Sequence, residues 1–119
     1  MADISELLDR LKVADPGTYE TAQLYTREVA ECDARYQDIV QGCIQRAIAV
    51  RGWVFDIEGK IGFDSYPPSA GYVASISELG AGYDGDYYNP RHQYCICESR
   101  GDTPSEAILA SYLAALEAQ

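Results

Sequence analysis

The chain has 119 residues, so a single domain with a modest core is expected. An apolar share of 47% excludes a disordered chain, and no apolar run approaches bilayer length, which excludes a membrane-spanning helix. Nine basic against nineteen acidic residues leave a formal net charge of −10, which speaks against direct nucleic-acid binding and for either simple solubility or a basic partner.

The first segment, "ISELLDRLKVA", places Ile4, Leu7, Leu8 and Leu11 on one helical stripe, with acids early and bases late. The same N-terminal region carries charge at every turn and lacks the apolar core of a secretion signal. A cytoplasmic location follows, with the four cysteines reduced. "DPG" at 15–17 reads as a stop. From Ala22 a seam runs through Tyr25, Val29, Cys32, Tyr36, Ile39, Cys43 and Ala47 to Val50 at steps of three and four. A continuous helix over that stretch would span about 45 Å, more than so small a domain can cover. It therefore kinks near Gly42, breaks near Asp33, or pairs with a second chain as a homodimer.

After Gly52 the pattern changes. "WVFDI" and "KIGF" alternate as strands do, and the "EG" between them suggests a hairpin. "SYPPSAG" reads as a loop, and Ser75 with Glu78 forms a capping-box signal for a short helix. "HQYCICES" reads as a strand with Tyr94, Ile96 and Glu98 on one face and Cys95 and Cys97 on the other. The closing "GDTPSEAILASYLAALEA" is a helix with Thr103 as cap, Pro104 in its first turn and Glu106 closing the box. Its apolar face holds Ile108, Leu109, Tyr112, Leu113 and Leu116. The expectation is an α+β fold, one domain over 1–119, with helices layered on a small antiparallel sheet. Residues 1–51 form its long helical part, and 52–119 the sheet and last helix.

Four patterns invite chemistry. Gly80, Gly82 and Gly85 in "ELGAGYDGDYY" match the spacing of a dinucleotide loop. The capping signal places a short helix rather than a strand before them, no long helix follows, and Asp84 and Asp86 carry the wrong sign for phosphate, so the stretch reads as loop and turn. His92, Cys95 and Cys97 form H-x-x-C-x-C, but the remaining cysteines, Cys32 and Cys43, lack ligand-pair spacing. All four cysteines read as small apolar packing residues, and neither metal nor cofactor is expected. A lone histidine and the absence of a nucleophile elbow speak against hydrolytic catalysis. Asp84 with Asp86 lacks the ligand spacing of a calcium loop.

Ten tyrosines are the unusual feature. Tyr25, Tyr36, Tyr94 and Tyr112 lie on periodic elements, whereas Tyr66, Tyr72, Tyr83, Tyr87 and Tyr88 lie in or beside loops. Residues 52–90 hold six acids (Asp56, Glu58, Asp64, Glu78, Asp84 and Asp86) against Lys60 alone. Tyrosine brings large contact area with few rotatable bonds and a polar tip. Asp64, Tyr66, Tyr83, Asp84, Asp86, Tyr87 and Tyr88 are thus the candidate partner-binding residues, facing a basic protein surface.

Across "ELLDRLKVA", "GWVFDIEGK", "YPPSAGYVASISEL" and "GDTPSEAILASYLAALEA" the chain resembles the phage ABA sandwich domain family of small phage and prophage proteins. The matching residues are Leu7, Leu8, Leu11, Trp53, Pro67, Pro68, Ile76, Leu79, Thr103, Pro104, Ala107, Ala110, Ala114 and Leu116. The resemblance covers 52–118 and the first helix, while the 19–50 segment is longer than the family's connection. It implies an α–β–α layered fold and a phage origin, but no established activity and no catalytic residue. With the acidity and the loop tyrosines, the expected role is a non-enzymatic, anti-CRISPR-like inhibitor of a host nucleic-acid-targeting complex, acting by protein contact or nucleic-acid mimicry. A phage assembly protein oligomerising through the 19–50 seam and a small ligand-binding module are the alternatives.

Overall fold

A computed structural model of the chain describes residues 3–62, 69–79 and 93–119. Within them the order is α1 (Ile4–Ala14), α2 (Pro16–Thr26), α3 (Ala34–Val50), β1 (Trp53–Gly62), β2 (Ser69–Leu79), β3 (Gln93–Gly101) and α4 (Pro104–Glu117). The three strands form one antiparallel sheet in the order β1-β2-β3. The architecture is α+β, with helices layered on an antiparallel sheet. Among the described residues no helix is long and apolar enough to cross a membrane.

The first helix follows its sequence signals. Asp3 caps it by accepting the Glu6 N–H at 3.0 Å, and Ile4, Leu7, Leu8 and Leu11 form the buried stripe. "DPG" does more than stop it. The Asp15 N–H closes α1 onto the Leu11 carbonyl at 2.8 Å. The Asp15 carboxylate then caps α2 through the Thr18 N–H. Pro16 falls in the first turn of α2, where a missing N–H costs nothing. The stretch is a helix-to-helix joint.

Of the arrangements open to the 19–50 seam, the structure adopts the break near Asp33. Residues 27–33 are non-helical, and Asp33 caps α3 through the Arg35 N–H at 2.9 Å. The chain reverses there, so that the start of α2 lies beside the end of α3 and each helix covers part of the other. α3 continues through Gly42. Its buried row is Tyr36, Val40, Ile44 and Ile48, displaced by one residue from much of the expected seam. Tyr25 and Cys32 are exposed, and Val29, Ile39 and Cys43 are half-buried. The sequence period is the same for both rows, and only the position of α4 and β1 selects between them.

Two further expectations are overturned in the sheet. No hairpin forms at Glu58-Gly59, because β1 runs through it, with Glu58 opposite Val73 and Gly59 opposite Tyr72. A Cβ on Gly59 would sit 3.4 Å from the Tyr72 ring, so the glycine leaves room for a cross-strand aromatic. Ser75–Glu78 is not a helix start but part of β2, the central strand. Pairing on both edges there outweighs a capping signal, and Tyr72, Ala74 and Ile76 alternate toward the helices. In β3 the register slips between Ile76 opposite Cys97 and Ser77 opposite Cys95, making Ile96 the extra residue of a bulge. The bulge separates the two cysteines that alternation had put on one face. Cys97 is half-buried beneath α4, its thiol donating to the Ser111 carbonyl at 2.9 Å, while Cys95 is exposed.

α4 is the hub, packing on all three strands and on α1 and α3. Thr103 Oγ1 accepts the Glu106 N–H at 3.1 Å, confirming the expected cap. The Glu106 carboxylate reaches the Asp102 backbone, one residue beyond the cap. The Ser105 hydroxyl donates to the Gln37 carbonyl at 2.8 Å, tying the helix start to α3. Ala107, Ile108, Leu109, Tyr112, Leu113 and Ala115 are buried, and Leu116 is half-buried. Each fully buried large apolar side chain contributes roughly 1.5–3 kcal/mol of transfer free energy.

Candidate functional site

Two surfaces stand out among the described residues. The first is an open cleft of about 860 Å³ between α2 and α3. One wall runs along α2, with Gly17, Thr18, Thr21 and Tyr25. The other follows α3 along Ile39, Cys43, Ala47 and Val50, with Arg46 and Arg51. Tyr112 of α4 and Asp15 close its inner end.

That inner end is a connected polar cluster built from residues far apart in the chain. The Tyr112 hydroxyl donates to Asp15 Oδ2 at 2.6 Å and accepts from Arg51 Nε at 3.1 Å. The Thr18 hydroxyl donates to the same carboxylate oxygen at 2.7 Å, and the Thr18 N–H reaches the other at 3.3 Å. The Arg51 guanidinium lies 5.5 Å from the Trp53 ring centre and 5.9 Å from that of Tyr112. The two rings meet edge to face at 6.4 Å. Arg51 is placed by its role as C-cap of α3, and Gly52 follows with φ of 76°, turning the chain sharply into β1.

Burial pushes the Asp15 carboxyl up, but hydrogen bonds from Thr18 and Tyr112 and the nearby Arg51 charge outweigh it, so its pKa lies below the ordinary value. A carboxylate this well satisfied is a poor general base. Burial and the bond to Asp15 raise the Tyr112 phenol. Burial also raises the Cys43 thiol, which keeps it protonated and weakly nucleophilic. The cluster is suited to holding a ligand group rather than to transferring a proton.

The second surface is the sheet face turned away from the helices. Asp56 and Glu58 of β1 and Glu98 of β3 are exposed there around Val73 and Ser75 of β2, forming a shallow depression of about 170 Å³. Asp56, Ser75 and Glu98 make one cross-strand row, and Glu58, Val73 and Arg100 the next. Alternate residues on a strand stand about 7 Å apart.

The candidate residues Asp64, Tyr66, Tyr83, Asp84, Asp86, Tyr87 and Tyr88 lie outside the described residues, as do Gly80, Gly82, Gly85 and His92. Among the described residues no group of three or more His, Cys, Asp or Glu could hold a metal ion. Sequence reasoning reached Asp56 and Glu58 as part of an acid-rich segment. It missed the cluster of Asp15, Arg51, Trp53 and Tyr112. Its only local trace is Asp15 in a joint read as a stop, since contacts spanning 61 and 97 residues leave no mark on local periodicity. Comparisons with protein families, with curated proteins and with solved structures returned no match.

Proposed function

We propose that the protein is a non-enzymatic binding protein that offers an acidic surface to a basic, nucleic-acid-handling partner. The observation that carries this reading is the outer sheet face, where the exposed acids Asp56, Glu58 and Glu98 outnumber the exposed base Arg100 on paired strands. Strands hold carboxylates at fixed separations, and the step from Asp56 to Glu58 is of the order of that between successive phosphates on one nucleic-acid strand. A surface of this kind can occupy a groove built for phosphates, using the attraction that normally recruits nucleic acid. The net charge of −10 supports the same direction of steering.

The resemblance to small phage proteins gives this activity a setting. The partner is then a host defence complex that acts on nucleic acid, and the protein is its anti-CRISPR-like inhibitor in the bacterial cytoplasm. The acidic, tyrosine-bearing segments 64–66 and 83–88 extend the contact.

Pull-down from a bacterial lysate identifies the partner. Asp56→Lys with Glu98→Lys then slows association and flattens or reverses its salt dependence, because charges at an interface rim act mainly on encounter. Asp84→Lys with Asp86→Lys asks the same of the 83–88 segment. Unchanged binding and an unchanged salt slope in both variants would refute the acidic-surface reading.

A further inference from the structure

The charge balance of the chain is inverted in the α2–α3 cleft. Acids outnumber bases 19 to 9 in the sequence, yet the charged residues lining the cleft are Arg46, Arg51 and Asp15. Both oxygens of Asp15 are occupied by donors from Thr18 and Tyr112. Arg51 is fixed before any ligand arrives. Tyr112 holds its Nε, and the paired rings of Trp53 and Tyr112 lie 5.5 and 5.9 Å from its guanidinium. The Arg51 side chain makes no other hydrogen bond or ion pair among the described residues. Its two Nη groups, the edge that grips a carboxylate in a fork, are therefore available.

The rest of the cleft is apolar on the α3 side. Ile39, Cys43, Ala47 and Val50 follow one another along that helix, and Val50 is 80% exposed. Tyr25, 60% exposed, stands on the facing wall. A prepositioned cationic fork at one end of a cleft with one apolar wall suits one kind of molecule. Its volume falls within the usual range for small-molecule sites.

We propose that this cleft binds a small organic monocarboxylate, with its carboxylate on Arg51 beside Arg46 and its apolar body along Ile39, Cys43, Ala47 and Val50. Two arginines against one aspartate leave a single positive charge, which matches a monoanion better than a phosphate dianion. Inorganic phosphate would also leave the apolar wall uncovered. This site is separate from the acidic sheet face and stands or falls independently of it.

Trp53 is the sole tryptophan, so its emission reports on the Arg51 site. Titration with sodium 4-phenylbutyrate should change that emission saturably. Neutral 4-phenylbutyramide should bind at least about tenfold more weakly, because the charge-assisted pair is lost. Arg51→Lys keeps the charge but loses the fork, and should weaken the acid about tenfold. Arg46→Gln alters an exposed side chain, tests the site without touching the Trp53 stack, and should weaken the acid by a few-fold. Thermal melting confirms that each variant is folded; if Arg51→Lys is not, Arg46→Gln and the acid–amide pair decide. Equal binding of acid and amide, unchanged affinity in the folded variants, or phosphate competing as well as the organic acid would overturn the proposal. So would a dimer whose formation closes the cleft, or no saturable response in both Trp53 emission and the amide resonances of Arg46 and Val50.

Discussion

Replacing Gly101 with alanine should be among the most damaging single-methyl changes this protein can suffer. The last residue of β3 passes directly beneath the start of α4. A Cβ there would lie 2.4 Å from the Ala107 nitrogen, 2.8 Å from the Glu106 carbonyl carbon and 2.9 Å from the Ala107 Cα. Favourable contact begins near 3.5 Å, so the two backbones must separate by about 1 Å. Neither has room. Ile108, Leu109 and Tyr112 of α4 are fully buried, and Thr103 and Ser105 bind its first turn to Gln37 of α3 at 2.6 and 2.8 Å. Gly101 is not among the positive-φ residues, so the penalty is one of space rather than of backbone conformation. Overpacking costs about 1–3 kcal/mol, and a clash between two backbones belongs at the upper end. Against a typical domain stability of about 5–15 kcal/mol, a loss of about 3 is large. Urea unfolding followed by Trp53 emission and helical circular dichroism should show the midpoint falling by about 1–3 M. Gly42→Ala is the matched control. It lies inside α3 with nothing within 4 Å of a new Cβ, and should gain about 0.8–1 kcal/mol. A Gly101→Ala midpoint within about 0.3 M of the parent, on the m-values usual for small domains, would refute the close approach.

Thr103→Ala removes the α4 cap and the bond to Gln37, and should cost about 1–2 kcal/mol in the same assay. Tyr112→Phe should cost about 1–2 kcal/mol by removing the donor to Asp15 and the acceptor for Arg51. Because the folded Asp15 pKa is depressed, its contribution is present at neutral pH and is lost as pH falls through the acid range below about 4. Tyr112→Phe moves that pKa back toward the ordinary value, so acid unfolding should become less steep there. A pH–stability curve parallel to the parent's would show that Tyr112 does not stabilise the Asp15 charge. Elemental analysis of the purified protein should find no zinc, and a chelator should leave the unfolding midpoint unchanged; one zinc per chain would overturn the reading of the cysteines.

The sequence alone determined the elements whose signals are local. α1 and α4 were legible because their caps, Asp3 and Thr103, and their apolar stripes act within a few residues. The α+β class followed from the change of period at Gly52. Tertiary structure decided what local signals left degenerate. The period of α3 allowed two neighbouring rows, and burial against α4 and β1 chose Tyr36, Val40, Ile44 and Ile48. The Ser75–Glu78 capping signal yielded to a central strand paired on both edges, and one bulge at Ile96 parted Cys95 from Cys97. The Asp15–Tyr112–Arg51 cluster lay furthest from view. Hydrogen bonds between side chains depend on where whole elements come to rest, and that placement is fixed by how the apolar faces of α1, α3 and α4 share one core rather than by any stretch of chain taken alone.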